Sequence, residues 1–85
     1  MIFRLYMEDK NRDMVKTLVS TAVDGFSLIP CEGVWKGQSE HSLIVEVVGD
    51  ATLLPVLTDV AKAIKAANRQ EAVLLVTIHD DHVMI

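Results

Sequence analysis

The sequence contains few of the residues that would indicate a particular chemistry or compartment. Its only cysteine is Cys31, so no intrachain disulfide can form and a zinc site with several thiolate ligands is excluded. Basic residues are also scarce, and the formal net charge of -4 argues against a nucleic-acid partner, since phosphate binding requires a basic field. No apolar run approaches the ~20 residues of a membrane-spanning helix. We therefore predict a cytoplasmic domain with no cofactor, metal, nucleic acid or membrane as partner.

Apolar residues, in contrast, are abundant. They make up 51% of the 85 residues, and the mean hydropathy is +0.32. A single domain of this size has much surface and little interior, so some of these side chains exceed what one copy can bury. We interpret the surplus as a sign of self-association and predict a homo-oligomer.

The hydrophobic pattern predicts six elements in the order β-α-β-β-α-β. The organising stretch is Gly25–Val48, in which two strand-like runs flank a polar, glycine-containing reversal at Gly33–Glu40. This arrangement is typical of a β-hairpin with a rather long loop. The other predicted elements are a strand over Ile2–Met7, a helix over Arg12–Val23 ended by Gly25, a helix with Pro55 in its first turn, and a strand over Ala72–Ile78.

Right-handed crossovers convert this order into a ferredoxin-like fold, an α+β single domain over residues 1–85. We expect a four-stranded antiparallel sheet with two helices on one face and a short C-terminal tail strand at Val83–Ile85. Pro30 cannot donate a ladder hydrogen bond, so its strand should either lie at an edge or break at a bulge there. The helix-free face should carry both apolar and charged residues: Ile2, Arg4, Tyr6, Ile44, Glu46 and Val48.

Four short motifs are spaced along most of the chain. They are Asp24-Gly25-Phe26, Gly33-Val34-Trp35-Lys36-Gly37, Glu40-His41-Ser42 and Gln70-Glu71-Ala72-Val73. The pattern resembles that of a family of small uncharacterised bacterial and phage ferredoxin-like domains. The resemblance implies the fold and a phage or bacterial origin, and it brings no catalytic residues with it.

The predicted hairpin tip is the best candidate for ligand binding. Trp35, Lys36 and Gly37 place an indole beside a cation and a bare backbone, which could stack a base or hold a phosphate. The alternative is that Trp35 packs over the end of the sheet or against a neighbouring subunit. Gln70 could contact the ligand, and Gln70-Glu71 could equally anchor the tip.

Arg4, Tyr6 and Glu46 on the open face form a second candidate set. Arg4 and Glu46 are expected to pair across neighbouring strands, either as ligand contacts or as a structural ion pair in an oligomer interface. His79 and His82 flank two aspartates, but in a strand they would point to opposite faces, so we expect a solvated turn and no metal.

Three functions are compatible with these features. The first is a non-catalytic homo-oligomer that binds a small ligand, such as a phage anti-defence protein that sequesters a nucleotide-derived signalling molecule in the host cytoplasm. The second is an interaction module that inhibits or adapts a host protein. The third is a small open-faced enzyme using Arg4, Tyr6, Glu46 and a histidine. Because no catalytic triad, phosphate-binding glycine loop or paired-acid motif is present, we predict that the protein is not an enzyme.

Overall fold

The computed structural model describes residues 1–85 and contains six elements in the predicted order. Their bounds are β1 Ile2–Glu8, α1 Arg12–Ser20, β2 Ser27–Trp35, β3 Gln38–Val48, α2 Leu53–Asn68 and β4 Leu74–Ile78. The four strands form one sheet in the order β2-β3-β1-β4, and every neighbouring pair is antiparallel. The predicted ferredoxin-like α+β fold is therefore present.

The core lies between the sheet and the two helices. Alternate residues of β1 are buried, and their partners on β3 are buried with them. Because side chains alternate between faces along a strand, this pattern assigns one whole face of β1 and β3 to the helices. The core residues are Phe3, Leu5, Met7, Val15, Val19, Leu43, Val45, Val47, Leu57, Val60, Ala61 and Ile64.

Helix α1 is shorter than predicted. It ends at Ser20, where the backbone N–H of Thr21 donates to the carbonyl of Leu18 and the Thr21 hydroxyl donates to the same oxygen. Gly25 was expected to end this helix in a left-handed conformation, but its φ is not positive. Local hydrogen bonding by Thr21 thus ends the helix before the glycine is reached.

The hairpin also differs from the prediction. Residues expected to form a long loop extend the two strands, which pair as far as Trp35 and Gln38. The connection is a two-residue turn in which both Lys36 and Gly37 have positive φ, 52° and 74°. Two successive residues with positive φ are characteristic of a type I′ turn, whose twist matches that of the flanking antiparallel strands. Pro30 lies on β2, an edge strand, as its missing donor requires.

The predicted tail strand is absent. Residues 79–85 have no regular secondary structure, and Val83, Met84 and Ile85 are exposed. The reason lies in the register, because Ile78 pairs with Ile2, the first residue of β1. Beyond that pair no neighbouring strand is available to satisfy further backbone hydrogen bonds.

Neither helix of the fold is long and apolar enough to cross a membrane.

Candidate functional site

The β2–β3 hairpin extends well past the end of β1. The last β1–β3 pair joins Glu8 to Ser42, and Ser42 pairs on its other side with Cys31. Four further β2–β3 pairs follow, from Glu32–His41 to Trp35–Gln38. This hairpin extension, residues 32–41, has no β1 strand beside it and is therefore able to bend over the open face of the sheet.

The tip of the extension is held to the opposite side of the sheet by one carboxylate. Trp35 Nε1 donates to Glu71 Oε2 at 2.9 Å, and Lys36 Nζ contacts Glu71 Oε1 at 2.6 Å. Glu71 lies just before β4, which occupies the other edge of the sheet. Hydrogen bonding from Lys36, followed by that from Trp35, lowers the pKa of Glu71 below its usual value. We call this three-residue contact the latch.

A cavity of about 490 Å³ lies beneath the hairpin extension, between it and the start of β4. This volume is within the range of small-molecule sites, about 300–1,000 Å³. Aromatic and aliphatic residues share the lining with four glutamates, and no lysine, arginine or histidine contributes. The lining residues are Tyr6, Met7, Glu8, Cys31, Glu32, Gly33, Val34, Trp35, Glu40, Ser42, Ile44, Glu71, Ala72 and Leu74.

The four carboxylates differ in their partners. Glu71 is paired with Lys36 in the latch, and Glu8 contacts Lys10 Nζ at 2.7 Å. Glu32 and Glu40 take part in no ion pair. Glu32 is exposed to solvent, whereas Glu40 is half-buried. The cavity thus has a negative electrostatic character that is only partly neutralised.

A glycine makes room for one polar side chain in the lining. A Cβ added to Gly33 would come within 2.3 Å of Ser42 Oγ and within 3.6 Å of Glu40 Cγ. Such a distance to Oγ is not tolerated, so only glycine permits the Ser42 hydroxyl to occupy this position. The Ser42 residue is 8% exposed. Its hydroxyl group makes no hydrogen bond within the chain, although it lines the cavity.

Two of the predicted site residues, Trp35 and Tyr6, line the cavity. Lys36 and Gly37 form the turn next to it, and the Lys36 ammonium is already paired with Glu71. Gln70 does not line the cavity. It is 6% exposed, and its Oε1 accepts a hydrogen bond of 3.1 Å from the backbone N–H of Glu8. Gln70 therefore connects the end of α2 to the end of β1, while its neighbour Glu71 anchors the tip.

The second predicted set is split by the structure. Arg4 pairs with Glu46 across β1 and β3, and Arg4 Nε lies 3.1 Å from Glu46 Oε2. Hydrogen bonding by Tyr6, and then by Glu46, raises the pKa of Arg4. Of these three residues only Tyr6 reaches the cavity lining. Arg4 and Glu46 lie further along the open face, as a half-exposed ion pair.

Sequence reasoning missed most of the polar lining. Ser42 and Glu40 lie on the same face as Tyr6, because alternate residues of β3 share a face. Ser42 was predicted to begin a strand, and Glu40 was predicted to end the reversal before it, but neither was assigned to the site. Continuing the alternation of β3 from Ile44 back by two and then four residues would have placed both on the open face. Glu8 carried no such signal, because it lies at the end of β1. Glu71 was considered as an anchor for the tip, and the structure gives it that contact.

The histidines of the C-terminal segment do not join the site. His82 Nδ1 lies 2.8 Å from Asp80 Oδ2, and the pKa of Asp80 is lowered first by the N-terminal amino group and then by His82. No group of three or more His, Cys, Asp and Glu side chains in the structure is arranged to hold a metal ion.

Comparison with known proteins gives a structural likeness and no sequence relative. Neither a known protein family nor a curated protein matches the chain. Among solved structures, a phage SAM lyase in its apo state superposes with a TM-score of 0.59 at 18% sequence identity. The match covers 87% of this chain and 75% of that chain. The chain therefore has the same fold as a phage protein.

Proposed function

We propose that the protein binds a small ligand that combines a flat ring with a positive charge, in the cavity beneath the hairpin extension. The lining supports the proposal, because Tyr6 and Trp35 accompany four glutamates and no basic residue. Aromatic side chains stack on flat rings and attract cations, and carboxylates provide the counter-charge. This refines the sequence-based hypothesis of a nucleotide-derived ligand, because a phosphate would meet a negative field there.

The ligand we propose to test first is SAM, S-adenosylmethionine, which carries an adenine ring and a sulfonium cation. Two independent facts favour it: the cavity has the matching chemistry, and the fold is shared with a phage SAM lyase. A phage protein that sequesters this molecule without altering it fits the anti-defence hypothesis. Lys36, expected to hold a phosphate, instead holds the tip in place through Glu71.

Thermal stability measured with a panel of ligands tests the proposal. A ligand that binds the folded state raises the melting temperature, so SAM should do so, whereas AMP, ATP and cyclic AMP should not. Trp35→Ala should weaken SAM binding roughly 5- to 150-fold, since stacking on a base is worth about 1–3 kcal/mol. Trp35→Phe is the matched control, because it keeps an aromatic ring and removes the indole N–H that donates to Glu71.

Failure of the whole panel to raise the melting temperature would contradict the small-ligand proposal. It would favour the second hypothesis, an interaction module that contacts a host protein through the open face. If ATP stabilised the protein as much as SAM does, the proposed preference for a positively charged ligand would be contradicted, but the proposal of a small-ligand site would stand.

An enzyme acting on the same ligand is the second candidate function, and it is favoured by the structural likeness to a lyase. Mass spectrometry of SAM after incubation with excess protein separates the two. Recovery of intact SAM at a rate equal to that of a protein-free control supports sequestration. Accelerated loss of SAM that disappears in Trp35→Ala supports catalysis at this cavity and overturns the sequence-based prediction of a non-enzyme.

We further propose that a second copy of the chain covers part of the open face. Several large apolar side chains on the open face are exposed, among them Val48 at 51% and Leu74 at 59%. Leu74 also lines the cavity, so a partner there would help to close the site. Light scattering checks the assembly, and a mass near 9.4 kDa, that of one chain, would contradict it.

A further inference from the structure

Glu40 differs from the other three carboxylates of the cavity in having neither an ion-pair partner nor full exposure. Glu71 and Glu8 are each paired with a lysine, and Glu32 faces solvent. A half-buried carboxylate without a counter-ion is costly to leave unpaired, whereas an exposed one is stabilised by water. Glu40 is therefore the cavity carboxylate that gains most from a cation supplied by a ligand.

A second observation at the same place also indicates a ligand. Ser42 is more than nine-tenths buried, lines the cavity and makes no hydrogen bond within the chain. Its Oγ is not sealed from solvent, so it is free to hydrogen-bond a molecule in the cavity. Gly33, which pairs with Glu40 on the neighbouring strand, leaves the space that this hydroxyl occupies. Glu40 and Ser42 are two residues apart on β3 and thus share a face.

From this arrangement we infer that Glu40 and Ser42 form a polar corner of the cavity, which distinguishes a cationic ligand from an uncharged one. Glu40 supplies the counter-charge to the cationic group, and the Ser42 hydroxyl hydrogen-bonds a polar atom next to it. The inference rests on the proposed function and adds the residues that determine specificity. Its consequence is that the cavity selects the cationic form of a nucleoside over the uncharged form of the same molecule.

Two probes that differ by one methyl group and one charge test the inference directly. Dimethylthioadenosine is a sulfonium, and methylthioadenosine is the corresponding neutral thioether. Calorimetric titration of the unmodified protein should show tighter binding of the sulfonium. Glu40→Gln keeps the shape of the side chain and should weaken sulfonium binding roughly 10- to 100-fold, the range for contacts with a charged group. Binding of the thioether should change less than about threefold.

Asp81→Asn is the matched control, since it removes an equal charge at an exposed position outside the cavity. It should change the affinity for either probe less than about threefold. Ser42→Ala should weaken both probes, because its hydroxyl contact does not depend on the methyl group. The fluorescence of Trp35 should stay unchanged in Glu40→Gln, which would show that the latch is intact.

A measurement without any variant gives a second test. Raising the salt concentration should weaken binding of the sulfonium more than that of the thioether, because screening acts on the charge. Equal losses for both probes in Glu40→Gln, or equal salt sensitivity, would overturn the inference while leaving the proposed function standing. If neither probe nor SAM binds the unmodified protein, the proposed function itself fails.

Discussion

The two faces of the sheet are built from the same strands, yet they are organised in different ways. On the covered face of β1 and β3, Phe3, Leu5, Leu43 and Val45 are fully buried and no charge is present. On the open face the same strands carry the Arg4–Glu46 pair together with half-buried apolar residues. The helices provide an apolar partner for the first face only. The open face retains polar groups that need a ligand, a second chain or water.

Stability and ligand binding are thus assigned to different faces of this small domain. The covered face closes the core, and substitutions there act on folding. The cavity is formed outside the core, by a hairpin that bends over the open face and is held by one exposed carboxylate. Changes at the cavity should therefore affect binding more than folding. Substitutions on the two faces of the sheet test this separation.

The largest effect should come from the covered face. Leu5→Ala removes a fully buried side chain and should lower the free energy of unfolding by about 2–5 kcal/mol. Ile44→Ala, the open-face counterpart on the neighbouring strand, should cost about 1 kcal/mol because its side chain is only half-buried. Denaturant unfolding of both variants measures the contrast. Equal losses that do not depend on protein concentration would contradict the separation of the two faces, whereas a concentration-dependent loss in Ile44→Ala would be the contribution of the proposed second copy.

A smaller effect is expected at the glycine beneath the hairpin extension. Gly33→Ala places a Cβ within 2.3 Å of Ser42 Oγ, so the Ser42 side chain or the strand must shift. We expect a loss of about 1–3 kcal/mol in the free energy of unfolding, together with weaker ligand binding. Gly25→Ala is the matched control, since no atom lies within 4 Å of its added Cβ and its φ is not positive. Normal ligand binding by Gly33→Ala would contradict the position given to the polar corner.

The smallest effect concerns the latch and its dependence on pH. The pKa of Glu71 is lower in the folded protein than the ordinary value of 4.5, because Lys36 and Trp35 stabilise its charged form. The stabilisation is thus fully present above pH 4.5 and is lost as the pH falls through the lower, folded-state value. Trp35 fluorescence should report this release, because Trp35 is the only tryptophan.

Glu71→Gln should remove the acid transition of the fluorescence while the circular dichroism of the sheet stays unchanged. Glu8→Gln serves as its control, since Glu8 also lines the cavity but does not contact Trp35. A transition at the same pH in Glu71→Gln would show that another group controls the position of the indole.

The local patterns of the sequence were sufficient to determine the fold class and both faces of β1 and β3. Alternation along Ile2–Met7 and through Leu43–Val47 assigns each side chain to a face, since the period of a strand is two. The same alternation, combined with antiparallel neighbours, placed Arg4 opposite Glu46. Pro30 indicated an edge strand because its missing N–H prohibits pairing on both sides.

The tertiary structure alone decided the length of the hairpin, the end of α1, the absence of a tail strand and the location of the cavity. Each depends on contacts between residues far apart in the chain, and local periodicity contains no information about such contacts. Trp35 and Glu71 are 36 positions apart, and their contact closes the space over Tyr6. Glycine and charge at Gly33–Glu40 indicated a loop, yet cross-strand pairing supplied the backbone partners that made those residues a strand. The sequence thus contained the side chains of the site, and only the fold brought them to one cavity.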